Sequence, residues 1–183
     1  MSIEEVVMAT TETDSAAVAA IRTHHAQLAA RVAELTDALV AAVAENSDTA
    51  AARADAARFL RDELLPHARA EEATLYPAAA RDDAARLLVE SMLAEHHVIG
   101  DLVDRIENDP SPFAAAAAGY ALRVMFDAHL ANENDRILPV VAADPTVSLA
   151  AVTEGMHELL GDHDLRSAQP GGCSGHRCAC GEA

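Results

Sequence analysis

The sequence predicts an all-α fold: an up-down-up-down four-helix bundle with a short fifth helix and an irregular Cys-rich C-terminal tail. About a quarter of the 183 residues are alanine, the best helix former, and only 3% are aromatic. Apolar residues recur at helical spacing in four long segments. Proline, Asp, Ser and Thr residues separate these segments, as expected where helices begin and end.

The helix boundaries follow from these separators. The first helix comes after two candidate caps, Thr13 and Asp14. The fourth begins with Ser111 as N-cap and Pro112 at the first helical position, where proline is well tolerated. Short connections between long helices favour a bundle of neighbouring helices. The predicted helices are about residues 15–45, 49–80, 82–108, 111–139 and 147–160.

The domain organisation predicted from the sequence is a single bundle with short extensions. Residues 1–14 are expected to form an N-terminal extension, residues 15–165 the helical bundle and residues 166–183 a Gly/Cys-rich tail, which is a candidate junction to a further domain.

The three cysteines all lie in the tail, so no disulfide framework is expected to hold the bundle. With His176 they are candidate ligands for a soft metal, but their spacing matches no zinc module, and an irregular reactive tail is the favoured interpretation. The cysteines are Cys173, Cys178 and Cys180.

The charge of the chain argues against several classes of partner. The formal net charge is −17, and such an acidic surface repels nucleic-acid phosphates and anionic lipids. No apolar run approaches the length of a membrane span, and the acidic N-terminus lacks the basic start of a secretory signal. The sequence therefore predicts a cytoplasmic protein without nucleic-acid or membrane partners, and its Ala- and Arg-rich composition suggests a bacterial source.

Polar residues occupy inward positions of the apolar stripes on all four long helices. The second and fourth helices contain H-x-x-x-E, as "HARAE" and "HLANE", and this spacing places both side chains on one helix face. Burying these groups unpaired would cost on the order of several kcal/mol, a cost that a metal site removes. Imidazole suits iron, zinc, copper and nickel, while carboxylates can bridge two ions. The candidate metal ligands are His25, His67, Glu71, His96, His129 and Glu133.

Two of these histidines have a histidine neighbour that is also a candidate. His25 and His96 lie in register with the apolar residues of their helices, whereas His24 and His97 fall beside the stripe. The register therefore favours His25 and His96, with the other two exposed at the flank of the bundle.

Other polar or polarisable residues lie close to the candidate ligands in the sequence. Glu72 is expected to point away from the site, with a supporting contact to a ligand as the alternative. Tyr76, Tyr120 and Met125 are candidates to line the site, but their helical spacing favours a role in packing.

The segments "IRTHHAQL", "HARAEEATLYP", "AEHHVI" and "HLANENDRILP" resemble the hemerythrin-like, or HHE cation-binding, family over about residues 15–140. The resemblance implies a four-helix bundle around a centre of two non-haem iron ions. By motif match it implies ligand roles for the six residues named above.

The chain resembles the oxygen-carrying hemerythrins less closely, because it departs from their ligand pattern in two helices. Those proteins have H-x-x-x-H in the third helix, whereas Met92 and Gly100 stand four residues on either side of His96 here. A glutamate at spacing four, Glu133, replaces an aspartate at spacing five. Met92 is expected to form an apolar wall beside the metals. The resemblance thus favours binding or sensing of a small ligand (oxygen, nitric oxide or peroxide) or of iron, with a di-iron oxidoreductase consuming peroxide or nitric oxide as the alternative.

Overall fold

The computed structural model describes residues 3–160 of the chain, and within that range the regular structure is entirely helical. This confirms the predicted all-α class. The tail predicted for residues 166–183, with its three cysteines, lies outside the described residues. The helices are α1 (Ile3–Ala44), α2 (Thr49–Phe59), α3 (Leu65–Ala73), α4 (Leu75–Ala79), α5 (Arg86–Asn108), α6 (Pro112–Asn132), α7 (Leu138–Ala143) and α8 (Leu149–Leu160).

The long helices enclose a common core. Helix α1 packs against α2 and α6, and α5 packs against the same two helices. The helices therefore form a closed ring of neighbours, which is the arrangement of a helical bundle. Helix α8 lies against α1 and α3 on the outside of this ring. No helix among residues 3–160 has both the length and the apolar character that crossing a membrane requires.

Helix α1 begins much earlier than predicted. It starts at Ile3, so the expected start at residue 15 is wrong, and both candidate caps lie inside the helix. The Asp14 carboxylate instead accepts a hydrogen bond of 3.1 Å from the backbone N–H of Ala150, in the first turn of α8. An acidic residue predicted to cap its own helix thus stabilises the start of a helix far along the chain.

The remaining helix ends agree more closely with the sequence. Ser111 is the N-cap of α6 as predicted, because its hydroxyl oxygen accepts a 3.3 Å hydrogen bond from the N–H of Ala114. Helix α5 begins at Arg86, a few residues later than expected, and α8 begins at Leu149.

Two π-helical turns accommodate prolines within the predicted second and fourth helices. One turn spans Leu60–Leu64 and precedes Pro66; the other spans Glu133–Ile137 and precedes Pro139. In the first, the N–H of Leu65 donates to a carbonyl five residues earlier. A proline lacks the N–H for the usual ladder, and its ring clashes with the carbonyl four residues before it. The wider turn makes room for the ring, so the chain continues helically on both sides.

A third proline contributes to a sharper interruption. Thr74, with φ −128° and ψ −64°, ends α3, and the short α4 begins at the next residue and contains Pro77. The predicted second helix is therefore split into α2, α3 and α4. Tyr76, within α4, is buried.

The apolar core consists of two clusters with a polar layer between them. Along α5, Met92 belongs to one cluster and Ile99 to the other, and His96 lies between them. The same order occurs along α1, where Ile21 and Leu28 belong to different clusters. Met92 is fully buried, in agreement with its expected role as apolar packing. The candidate ligands thus occupy a layer shielded on both sides by apolar side chains.

Candidate metal centre

The six residues predicted from the sequence all meet in this layer. None of them is more than 7% exposed. They form two overlapping groups that share Glu71, and within each group the potential ligand atoms lie within 4.8 Å of one another. One group is His25, His67 and Glu71, and the other is Glu71, His96, His129 and Glu133.

The carboxylate of Glu71 reaches both sides of the cluster. Its Oε1 lies 3.2 Å from Nε2 of His25 and 2.9 Å from Nε2 of His67. Its Oε2 lies 3.6 Å from Nε2 of His96. One carboxylate therefore spans two pairs of histidines, His25 with His67 and His96 with His129.

Glu133 spans the same two pairs from the opposite helix. Its Oε2 lies 3.8 Å from Nε2 of His25, and its Oε1 lies 3.6 Å from Nε2 of His129. The i,i+4 spacing noted in the sequence thus places each glutamate beside the histidine that precedes it by one turn. The packing of the bundle then brings the same glutamate close to a histidine on a different helix.

Three of the four histidines make hydrogen bonds on their outward side. Nδ1 of His96 lies 2.8 Å from Oε1 of Glu72, and Nδ1 of His129 lies 2.9 Å from Oε2 of Glu95. Glu72 therefore does not point away from the site; the alternative, a contact with a ligand candidate, is the correct one. Because an ionised carboxylate only accepts hydrogen bonds, Nδ1 of both rings carries a proton, and Nε2 faces the centre.

The centre of the cluster lacks the hydrogen bonds that buried polar atoms normally have. Nε2 of His67 and Oε2 of Glu133 are buried without a hydrogen-bond partner, although His67 lies close to Glu71. Nε2 of His96 lies 3.0 Å from Nε2 of His129, a contact that requires a proton between two acceptors. A cation at this place would satisfy all of these atoms, and imidazole and carboxylate suit iron and zinc. The donor set therefore fits a metal centre.

Burial acts to raise the pKa of both glutamates, but neighbouring groups shift the two pKa values in opposite directions. At Glu71 the charge of His67 and a hydrogen bond from His25 outweigh burial and hold the pKa well below its usual range. At Glu133 the charge of Glu71 adds to burial, and the pKa lies well above the usual range. Without a cation, one carboxylate is ionised and the other favours its protonated form.

The two histidines in contact also differ. Burial lowers the pKa of both, yet hydrogen bonds and charges of Glu71 and Glu72 leave the pKa of His96 raised. At His129 burial dominates and the charge of His96 reinforces it, so the pKa is lowered. These directions favour His96 over His129 as the holder of the proton between the two rings.

Tyr76 lines the cluster, which was the alternative to the packing role favoured from the sequence. Its hydroxyl donates a 2.6 Å hydrogen bond to Oε1 of Glu133 and lies 3.1 Å from Nε2 of His96. Burial, followed by the negative charge of Glu71, raises the pKa of the phenol, so it remains protonated. It lies five residues after Glu71, in the short helix α4 that follows the break at Thr74.

The residues left as alternatives occupy three different environments. His97 is exposed, as predicted, and its Nδ1 lies 2.7 Å from the carbonyl oxygen of Leu93. His24 is half-buried rather than exposed, and its ring centroid lies 4.8 Å from that of His67. Met125 packs partly buried against the core, whereas Tyr120 is 62% exposed, which contradicts its expected role in packing.

A surface cleft approaches the cluster between α3 and α5. Its volume is about 420 Å³, and its lining includes Glu72, His96, His97 and Gly100. The outward side of His96 thus lies at the base of an opening to solvent.

A helical bundle with four histidines and two glutamates converging in one buried layer defines a class of protein with a site suited to cations. Residues 16–141 match the family described as hemerythrin HHE cation binding domain, and the chain belongs to this family. The match confirms the resemblance and includes all six cluster residues. No curated protein and no solved structure matches the chain.

Proposed function

We propose that the buried cluster binds two non-haem iron ions. The observation that carries this proposal is the division of the oxygens of Glu71 between the two histidine pairs, because a carboxylate in that position can bridge two ions. Glu133 supports the same arrangement from the opposite side. The proposed ligands are His25, His67, Glu71, His96, His129 and Glu133.

We propose iron because the cluster offers only imidazole nitrogen and carboxylate oxygen, without sulfur, and because the family binds cations. When bound, iron would supply open coordination positions and one-electron redox chemistry. The bundle would hold the six ligand side chains in position, and the apolar clusters on either side would exclude bulk water.

The proposed function is binding or sensing of a small ligand, such as oxygen, nitric oxide or peroxide, or of iron itself. Its support is the burial of the site: the layer between the clusters is filled by the ligand candidates and Tyr76, so a large substrate has no place there. The cleft beside His96 is the proposed route from solvent.

The alternative function is a di-iron oxidoreductase that consumes peroxide or nitric oxide. Tyr76 favours it, because its hydroxyl reaches the centre of the cluster and would donate a hydrogen bond to a small molecule bound there. Steady-state turnover of peroxide by the iron-loaded protein distinguishes the two functions.

We also propose the helix directions, the classes of excluded partner and the domain limits of this chain. Short connections support an up-down-up-down direction for the long helices. The charge of −17 supports the absence of nucleic-acid and membrane partners. Residues 15–165 would form the metal-binding domain, with residues 1–14 and 166–183 as extensions.

The decisive experiment measures metal stoichiometry. Protein stripped by chelator is loaded with ferrous iron without oxygen, passed through a desalting column and analysed for metal and protein. We expect about two equivalents of iron per chain, as the two overlapping residue groups imply. One equivalent or none, in protein with unchanged helicity, would refute the di-iron proposal.

A further inference from the structure

The contacts around the cluster follow a cyclic order through the bundle. On each ligand-bearing segment, a residue adjacent in sequence to a cluster residue contacts a histidine on the next helix. Glu72, next to Glu71 on α3, binds Nδ1 of His96 on α5 at 2.8 Å. Glu95, next to His96, binds Nδ1 of His129 on α6 at 2.9 Å.

The second half of the cycle uses different chemistry. Asn134, next to Glu133, has its Oδ1 3.0 Å from Nδ1 of His25 on α1. His24, next to His25, closes the cycle by a ring contact with His67 on α3, with centroids 4.8 Å apart and planes tilted by 59°. Nδ1 of His67 has no hydrogen-bond partner.

The outer groups therefore divide the four histidines into two unlike pairs. His96 and His129 each face a carboxylate, whereas His25 faces a neutral amide and His67 faces an aromatic ring. A carboxylate that accepts the Nδ1 proton draws it away from the ring and increases electron density at Nε2, which strengthens that nitrogen as a metal ligand. An amide oxygen does so less, because it carries no net charge.

Solvent does not remove this difference. The side chains of Glu72 and Glu95 are 36% and 20% exposed, so their charges are partly screened. Their hydrogen bonds, however, are direct and lie against rings that are almost fully buried.

We propose that these four outer groups make the two metal positions unequal. The position between His96 and His129 then binds its cation first and more tightly. Glu72 and Glu95 are the positioning residues responsible. The inference rests on the proposed two-metal function and adds an order of loading to it.

The test is a stepwise titration of the metal-free, full-length protein with cobalt(II), whose visible absorption reports occupancy, in competition with a chelator of known affinity. The wild-type chain should bind in two resolved steps. Glu72→Gln and Glu95→Gln should each weaken the first step by about 10–100-fold and leave the second nearly unchanged. Glu90→Gln, at an exposed position of the same helix as Glu95, is the matched control and should change neither step.

Asn134→Asp provides a test in the opposite direction. It replaces the amide beside His25 with a carboxylate of nearly the same shape and should strengthen the second step, bringing the two steps closer together. If the outer groups had only a structural role, this substitution would not increase the affinity for the metal. This variant also decides the matter if Glu95→Gln fails to fold, which circular dichroism of the metal-free protein would reveal.

The outcomes separate this inference from the function on which it rests. Two equal steps in the wild-type chain, or equal weakening of both steps by Glu72→Gln and Glu95→Gln, would overturn the loading order while leaving the two-metal site intact. A chain that binds no cobalt(II) would overturn both.

Discussion

The hydroxyl of Tyr76 donates a 2.6 Å hydrogen bond to Oε1 of Glu133 at the centre of the bundle. Tyr76 is 1% exposed and Glu133 is fully buried, so water cannot replace this bond if it is lost. The pair links the short helix α4 to the π-helical turn that carries Glu133, and it makes the phenol part of the polar layer.

Tyr76→Phe should destabilise the metal-free protein by about 1–3 kcal/mol, because it leaves a buried carboxyl oxygen without its donor. The control is Tyr120→Phe, which changes the only other tyrosine of the sequence at a largely exposed position and should alter stability by less than about 0.5 kcal/mol. Urea denaturation in the presence of chelator measures both. Equal effects of the two substitutions would show that the buried hydroxyl contributes nothing.

Glu133→Gln should have opposite effects on the metal-free protein and on metal binding. The raised pKa of Glu133 means that the folded chain binds more protons than the unfolded chain between the usual carboxyl pKa and the raised one. Its contribution to stability therefore falls as pH rises through that interval. Glutamine removes this fall, so the metal-free variant should be more stable than the wild type near neutral pH, while its iron affinity drops at least about tenfold.

The measurement is a series of urea denaturation curves in chelator, from about pH 4 to about pH 8, a range that brackets the usual carboxyl and imidazole pKa values. Comparing wild type with variant cancels the titration of common residues that do not interact with Glu133. Parallel stability curves for the two proteins would contradict the prediction.

His96→Ala should lower bound iron from two equivalents to one or none, since it removes one of the two imidazoles on its side of the cluster. His97→Ala is the matched control at the adjacent position, where the side chain is exposed, and it should retain full iron content. Metal analysis after desalting compares the two. Similar losses from both substitutions would mean that His97 also takes part in binding.

Deletion of residues 170–183 should leave iron content and helicity unchanged, because all six cluster residues lie within residues 25–133. The matched control is the full-length chain with serine at its three cysteines, which should behave identically. Circular dichroism and metal analysis provide the readouts. A large loss of thermal stability in the shortened chain would show that the tail packs on the bundle or binds a structural metal.

The sequence alone determined the helical class and the six cluster residues, because both follow from local periodicity. Alanine content sets helix propensity, and a polar residue in register with an apolar stripe must face the core. The same register correctly favoured the more buried histidine of each adjacent pair, His25 over His24 and His96 over His97. These properties depend only on residues within a few turns of one another.

The tertiary structure decided which residues of different helices meet. Glu72 contacts a histidine on α5, Asp14 stabilises the start of α8, and Tyr76 reaches Glu133 from the short helix α4. None of these follows from helical periodicity, since a π-helical turn or a break rotates every later residue relative to the stripe before it. Periodicity gives the face of a helix on which a side chain lies, whereas its partner depends on how the helices pack, and that depends on the whole chain.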